Sequence, residues 1–260
     1  MIKLEKEKMN IIKHLFRKIR FNMATSAIQG YMGEVYVNKL ESPDFAMIFL
    51  GRFCFIDGNP NNEDAESALK NIDNYYKIII ANDNWFNLIE KVYKNNYEID
   101  LRYSMKKDTN FDKERLVKLS KTLDNHYEIK PIEGKIYQKV LETDSFSTNI
   151  SMSENYEKYG FGYCAIEKSS DKIVAVITTQ AVYDNSREMN IKIEEEHRRK
   201  GIGTAISAIM ILECLNRNIY PSWDAANLNS LRLSEKLGYE LDSEYRIYEI
   251  NRKKQIAKDK

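Results

Sequence analysis

Apolar and polar positions alternate in short segments along the chain. Near the start, Ile12, Leu15, Phe16 and Ile19 are interleaved with Lys13, Arg17, Lys18 and Arg20. Apolar residues three and four apart predict an amphipathic helix within residues 1–22, docked on the protein with its basic face in water. Apolar, β-prone runs follow at 45–50, 52–56, 76–81 and 97–105, with helical spacing near 63–74 and 84–95. Strands separated by helices predict a small α/β unit. Asp57-Gly-Asn-Pro-Asn-Asn62 has the composition of a turn. Leu116, Leu119 and Leu123 carry a further predicted helix over 112–123.

The pattern breaks at Asp124-Asn-His126, which places a domain boundary near residue 125 and predicts domains 1–125 and 126–260. Beyond it the spacing predicts a helix over 132–141, a loop around 143–150 and a helix over 151–159. Three strands follow at 161–168, 172–182 and 187–195. The turns Ser169-Ser-Asp171 and Asp184-Asn-Ser186 make them an antiparallel meander. A helix at 202–216, a strand at 219–225, a helix at 227–237 and a strand at 239–249 complete the order. No internal repeat is visible in the residues, and a fold shared by the two halves stays open at this level.

Composition narrows the classes. Lys+Arg total 40 and Asp+Glu 39 in 260 residues, a net charge of +1, which argues against a dedicated nucleic-acid binder. A hydrophobic fraction of 43% is enough for a core. The longest apolar runs, 45–50 and 173–177, fall far short of the roughly 18–20 residues that span a bilayer. The charged start, Met1-Ile-Lys-Leu-Glu-Lys-Glu-Lys, lacks the apolar core of a signal peptide. Cys54, Cys164 and Cys214 sit in apolar surroundings and read as reduced, buried thiols of a cytoplasmic protein. No His/Cys/carboxylate spacing fits a metal site, no nucleophile elbow is present, and His14 and His126 read as structural or surface residues.

The stretch that carries chemistry is Met189–Thr204. A strand runs into the basic turn His197-Arg-Arg-Lys200, then Gly201-x-Gly203, and a long apolar helix begins at once. Glycines admit a close backbone approach, and the free N–H groups of a first helical turn favour an anion such as phosphate. A Rossmann fingerprint would follow a first strand and carry three glycines. A nucleoside-triphosphate loop would place Lys between the glycine and Ser/Thr, whereas Gly203 is followed directly by Thr204.

Arg198-x-x-Gly201-x-Gly203, then Asn227-x-x-Ser230 and Lys236-Leu-Gly238-Tyr239, resemble the GNAT superfamily of acyl-CoA-dependent N-acyltransferases over about residues 126–250. Gly160-Phe-Gly-Tyr163 and Pro221-Ser-Trp-Asp-Ala-Ala-Asn227 resemble a bacterial subgroup with an extra N-terminal α/β domain. The resemblance implies a C-terminal GNAT fold with a mixed, mostly antiparallel, splayed sheet flanked by helices. It implies a smaller N-terminal α/β domain, with a degenerate GNAT-like half as one form that domain could take.

It also implies acetyl-CoA as cosubstrate. Pantetheine would run along the backbone of Ile191 and Ile193. The diphosphate would lie over the N–H groups of Arg199, Lys200, Gly201, Ile202, Gly203 and Thr204, beside Arg198. Asn227 would touch the pantetheine arm and Ser230 the diphosphate. Glu188, Glu194 and Asp224 are the candidate bases. The position where many members carry a general-acid Tyr is Ser234, which leaves that step in question; Tyr239 and Tyr245 are the nearby phenols. The expected activity is acetyl transfer to a small-molecule amine by a monomer or homodimer, without nucleic acid or membrane. The alternative is a catalytically silent CoA-binding sensor or interaction module.

Overall fold

The structure is a computed structural model that describes residues 1–17, 22–146 and 156–251. The chain forms two compact units, Met1–Arg102 with Glu244–Lys260, and Tyr103–Ser243. The first contains β1 (Ile2–Lys3), α1 (Asn22–Ile28), β2 (Glu34–Val37), β3 (Phe45–Leu50), β4 (Phe53–Gly58), α2 (Ala65–Lys70), β5 (Lys77–Ile80), α3 (Phe86–Tyr93) and most of β6 (Tyr97–Met105). The second contains the end of β6, α4 (Lys113–Ser120), β7 (Tyr127–Pro131), α5 (Gly134–Glu142), α6 (Tyr156–Tyr159), β8 (Gly162–Glu167), β9 (Lys172–Tyr183) and β10 (Ser186–Ile193). It continues with α7 (Ile202–Asn216), β11 (Tyr220–Ser222), β12 (Asp224–Ala225), α8 (Leu228–Leu237) and the start of β13 (Leu241–Ile250), whose remainder returns to the first unit.

In the first unit β1 through β4 pair antiparallel in sequence order, and β5 joins β4 in parallel after the α2 crossover. β13 then pairs antiparallel with β5, Tyr248 opposite Ile78. Trp85, Phe45, Ile56, Leu69, Ile78 and Tyr248 fill the core between this sheet and helices α2 and α3. One continuous helix does not form over 1–22. Ile2–Lys3 is taken up by the sheet, Lys6–Ile12 winds as a 3-10 helix, and Phe16 adopts a φ of 55°, which a right-handed helix excludes. Lys18, Ile19 and Arg20 lie outside the described residues, as do 151–155 of the expected 151–159 helix.

The second unit follows the same plan. β7, β8, β9 and β10 pair antiparallel, α7 crosses over, and β11 returns parallel to β10. The expected meander is present, with the additional strand β7, whose mixed burial hid it from a search for apolar runs. α7 buries residues nearly all round, among them Ile202, Ile206, Met210 and Cys214, as a core helix must. Element order therefore repeats, β1 to β6 against β7 to β13. Each unit takes a strand from the other half of the sequence: β13 pairs with β5, and β6 pairs with β12. Sequence spacing put a boundary near residue 125. In the structure the end of β6 and α4 fall in the second unit, where α4 packs on α7.

Candidate active site

The site begins with a failure of strand pairing. β11 pairs with only the first three residues of β10, Ser186–Glu188, in register with Tyr220–Ser222. At Trp223 the chain leaves β10, and Asp224 and Ala225 pair with Ser104 and Tyr103 of β6 instead. The expected strand 219–225 is thus two strands with different partners. The register of β10 on β9 shifts between Glu188 and Met189, the kind of bulge that bends a strand away from its neighbour. Beyond it, Met189–Ile193 remain paired with β9 only, among the described residues. Glu194 N–H donates to Val174 C=O on β9 at 2.9 Å. Backbone groups alternate in an antiparallel pair, so those of Ile193 and Ile191 face away from β9, toward the opening.

The open edge leads into the basic turn. Glu195–His197 form one 3-10 turn. Arg199 (φ 62°) and Gly201 (φ 82°) are both left-handed. Nothing lies within 4 Å of a Cβ built on Gly201, so its backbone conformation, not crowding, asks for glycine there. Gly203 is held by space: a Cβ would lie 3.0 Å from Ile193 Cδ1. Gly201 is the N-cap of α7 and supplies no side-chain cap, and the first intrahelical bond runs from Ala205 N–H to Gly201 C=O. The N–H groups of Ile202, Gly203 and Thr204 therefore have no acceptor within the helix. Fifteen residues of α7 point the positive end of their dipole at this place.

The charged residues of the turn divide. Arg199 and Lys200 are exposed. Arg198 folds back, its Nε donating to Ile193 C=O at 3.3 Å. His197, expected among the cations, is instead buried, with Nδ1 3.1 Å from the Tyr127 hydroxyl on β7. The cap of α8 is Asn227, whose Oδ1 accepts from Asn229 N–H and Ser230 N–H, both at 3.0 Å. Its Nδ2 is the remaining donor of that amide. Ser230 Oγ accepts from Trp223 Nε1 at 3.2 Å, which leaves its own proton to donate.

The carboxylates occupy different places. Glu188 stands at the point where β10 and β11 part, is 2% exposed, and accepts from Ser222 Oγ at 2.8 Å. Burial pushes the hydroxyls of Tyr183, Tyr220 and Tyr239 upward, and the Glu188 charge adds to each. Asp224 is half-buried on β12. Glu194 lies just past the far end of β10, about 20 Å from Glu188 at roughly 3.4 Å per residue. It accepts from Ser145 and lines a separate cleft with Lys139, Thr143, Lys172 and His197.

Ser234 is fully buried, and its hydroxyl donates to Leu231 C=O at 2.7 Å. Tyr239 is buried and donates to Pro221 C=O at 2.7 Å. Tyr245 belongs to the first unit, where it accepts from Arg102 Nε. Burial raises all three cysteines, Cys164 to about 11 and Cys214 to about 12, which suits core thiols rather than nucleophiles. Among the described residues no group of His, Cys, Asp and Glu could hold a metal ion, and no helix is long and apolar enough to cross a membrane. Sequence reasoning missed Ser222 as the partner of Glu188. The signal lay within the Pro-Ser-Trp-Asp run already singled out.

Comparison with known proteins places the chain in a family. A crystal structure of a GCN5-related N-acetyltransferase-like protein from Streptococcus suis 89/1591 is 32% identical, with a TM-score of 0.84 over 94% of this chain and 98% of that one. A tandem GNAT protein from the clavulanic acid biosynthesis pathway shares the fold at 9% identity and a TM-score of 0.57, over 95% of this chain and 96% of that one. The uncharacterized N-acetyltransferase YdfB of Bacillus subtilis (strain 168) is 28% identical over 128 residues, 45% of this chain; the match spans about half, 48%, of that relative. A family model described as GNAT acetyltransferase matches residues 13–248, so the chain belongs to the GNAT acetyltransferase family.

Proposed function

We propose that this protein is an N-acetyltransferase that moves an acetyl group from acetyl-CoA to a primary amine of a small molecule, by direct attack in a ternary complex. The observation that carries the reading is the five-residue open edge of β10, which ends at a glycine-capped helix start flanked by cations. The residues fit acetyl-CoA. The N–H groups of Gly201, Ile202, Gly203 and Thr204, with Arg199 and Lys200, would hold its diphosphate. The Ile191 and Ile193 edge would hold its extended arm by added-strand hydrogen bonds. Arg198 already occupies the Ile193 carbonyl, so the arm would take the Ile193 N–H unless that side chain moves aside. Asn227 Nδ2 and the Ser230 hydroxyl are the flanking donors.

Bound there, acetyl-CoA supplies an activated thioester. This chain must then accept the amine proton and stabilise the developing oxyanion. Of the three carboxylates, Glu188 fits the base best: it lies at the splay, where an arm anchored at Gly201 and laid along β10 would end. Glu194 sits at the diphosphate end instead, and Asp224 is the second choice. An N–H of the open β10 edge is the oxyanion donor. With Ser234 and Tyr239 both tied into the core, the thiolate leaves without a phenol acid from those positions.

Thiol release from acetyl-CoA across a panel of amines tests the proposal. Turnover with at least one amine is expected. CoA binding without turnover on any amine would favour the sensor reading.

A further inference from the structure

The first unit contains a pocket unrelated to the acetyl-transfer site. It opens between the β2–β3 surface and α2, with a volume of about 290 Å³. Its floor is apolar: Met47, Ala68 and Ile72 are buried. Its walls are three half-buried rings, Tyr36, Phe49 and Tyr76. Phe49 meets Tyr36 at 5.5 Å and 89°, and meets Tyr76 at 4.9 Å and 68°, so the rings stand as non-parallel walls. At the mouth stand two exposed carboxylates, Glu34 and Asp73, together with the exposed Met1. Both carboxylates act on Tyr76, whose hydroxyl is raised by burial first and then by the Glu34 and Asp73 charges.

Aromatic faces attract a cation through their quadrupole, and this is strongest when the cation carries apolar bulk that leaves water readily. An apolar floor with a few polar groups at the rim is the usual build of a small-ligand site. Glu34 is held by Lys3 and Tyr36, and Asp73 accepts from Tyr75 N–H at 2.7 Å, so two negative charges are fixed at the mouth, where they favour a cation and repel an anion. The chain supplies its own evidence that the mouth draws cations. Lys3 reaches across from β1 and bridges Glu34, whose other oxygen accepts from Tyr36 OH at 2.8 Å. Lys3 is 55% exposed at its side chain, so it can be displaced at small cost.

We infer that the Tyr36–Phe49–Tyr76 pocket binds a small alkylated ammonium ion, with Glu34 as counter-ion and Lys3 as its internal competitor.

Calorimetric titration of the whole protein with choline and tetramethylammonium, against 3,3-dimethyl-1-butanol, tests this. The alcohol has the shape of choline without the charge. Choline is expected to bind about ten-fold more tightly than the alcohol. Lys3→Ala should tighten choline severalfold, and Glu34→Gln and Tyr76→Leu should weaken it severalfold. Glu34 and Lys3 are exposed, so those two variants report on binding even if Tyr76→Leu fails to fold. Equal affinity for the neutral isostere, no heat with either cation at millimolar concentration, or a Lys3→Ala variant no tighter than the parent would overturn the inference.

Discussion

The two units share an element order and part company at the same step, the crossover after their fourth strand. In the first unit β4 pairs with β5 through Phe53–Ile56, and Ala81 N–H continues the ladder to Ile56 C=O. Asp57 seals the end, accepting from the Gly58 and Phe16 N–H groups and from Asn82 Nδ2. Gly58 is crowded, since a Cβ there would lie 2.2 Å from Asp44 O. The loop to α2 carries Glu63 and Asp64, and α2 is only six residues long. In the second unit β10 and β11 separate after three residues, the glycine of the turn faces open space, and a fifteen-residue helix starts among cations. One topology thus gives an acidic crossover whose strands stay paired and a cationic one whose strands part. The site comes from the unpaired strand edge and the turn, and the fold merely brings them together.

The largest way to sharpen this contrast is Glu188→Gln. If Glu188 is the base at the splay, kcat should fall by about 10² to 10⁴ with CoA affinity retained. The matching change at the other carboxylate, Glu194→Gln, should lower kcat far less. Steady-state kinetics alongside CoA calorimetry separates the two.

Next in size is Gly201→Val. A β-branched residue at φ 82° costs roughly 1–3 kcal/mol of local strain, which should be read as about a ten-fold or greater loss of CoA affinity. Asn61→Val in the acidic crossover should leave CoA binding unchanged. Smaller still, Arg199→Ala and Lys200→Ala should each weaken CoA modestly, with a reduced dependence of Kd on salt. Smallest on activity is Ser234→Ala. It removes a buried hydroxyl already bonded to Leu231 C=O, so it should cost about 1 kcal/mol of stability in a denaturant melt and leave kcat unchanged.

The legible parts of this molecule were those with local causes. Apolar, β-prone runs marked β3, β4, β5, β8, β9 and β10, and the Arg198–Gly203 turn announced the start of α7 because its chemistry is contiguous in sequence. Three things escaped. β2 and β7 are short and partly exposed, so their period is faint. The strand exchange, in which β13 joins β5 and β6 joins β12, is a long-range pairing that leaves no trace in spacing. The ranking of the carboxylates also needed coordinates. Glu188 and Glu194 both belong to one acidic, β-prone stretch, and only the point where β11 departs tells which of them stands at the splay. The burial of His197 was not legible either, because its partner Tyr127 lies seventy positions away.

Hydrogen–deuterium exchange with and without coenzyme A reads both crossovers in one experiment. The account predicts that amides from Met189 to Thr204 gain protection on adding ligand while those from Phe53 to Ala65 keep their rates. Unchanged exchange over Met189–Thr204 under saturating ligand, or equal protection of both segments, would contradict it.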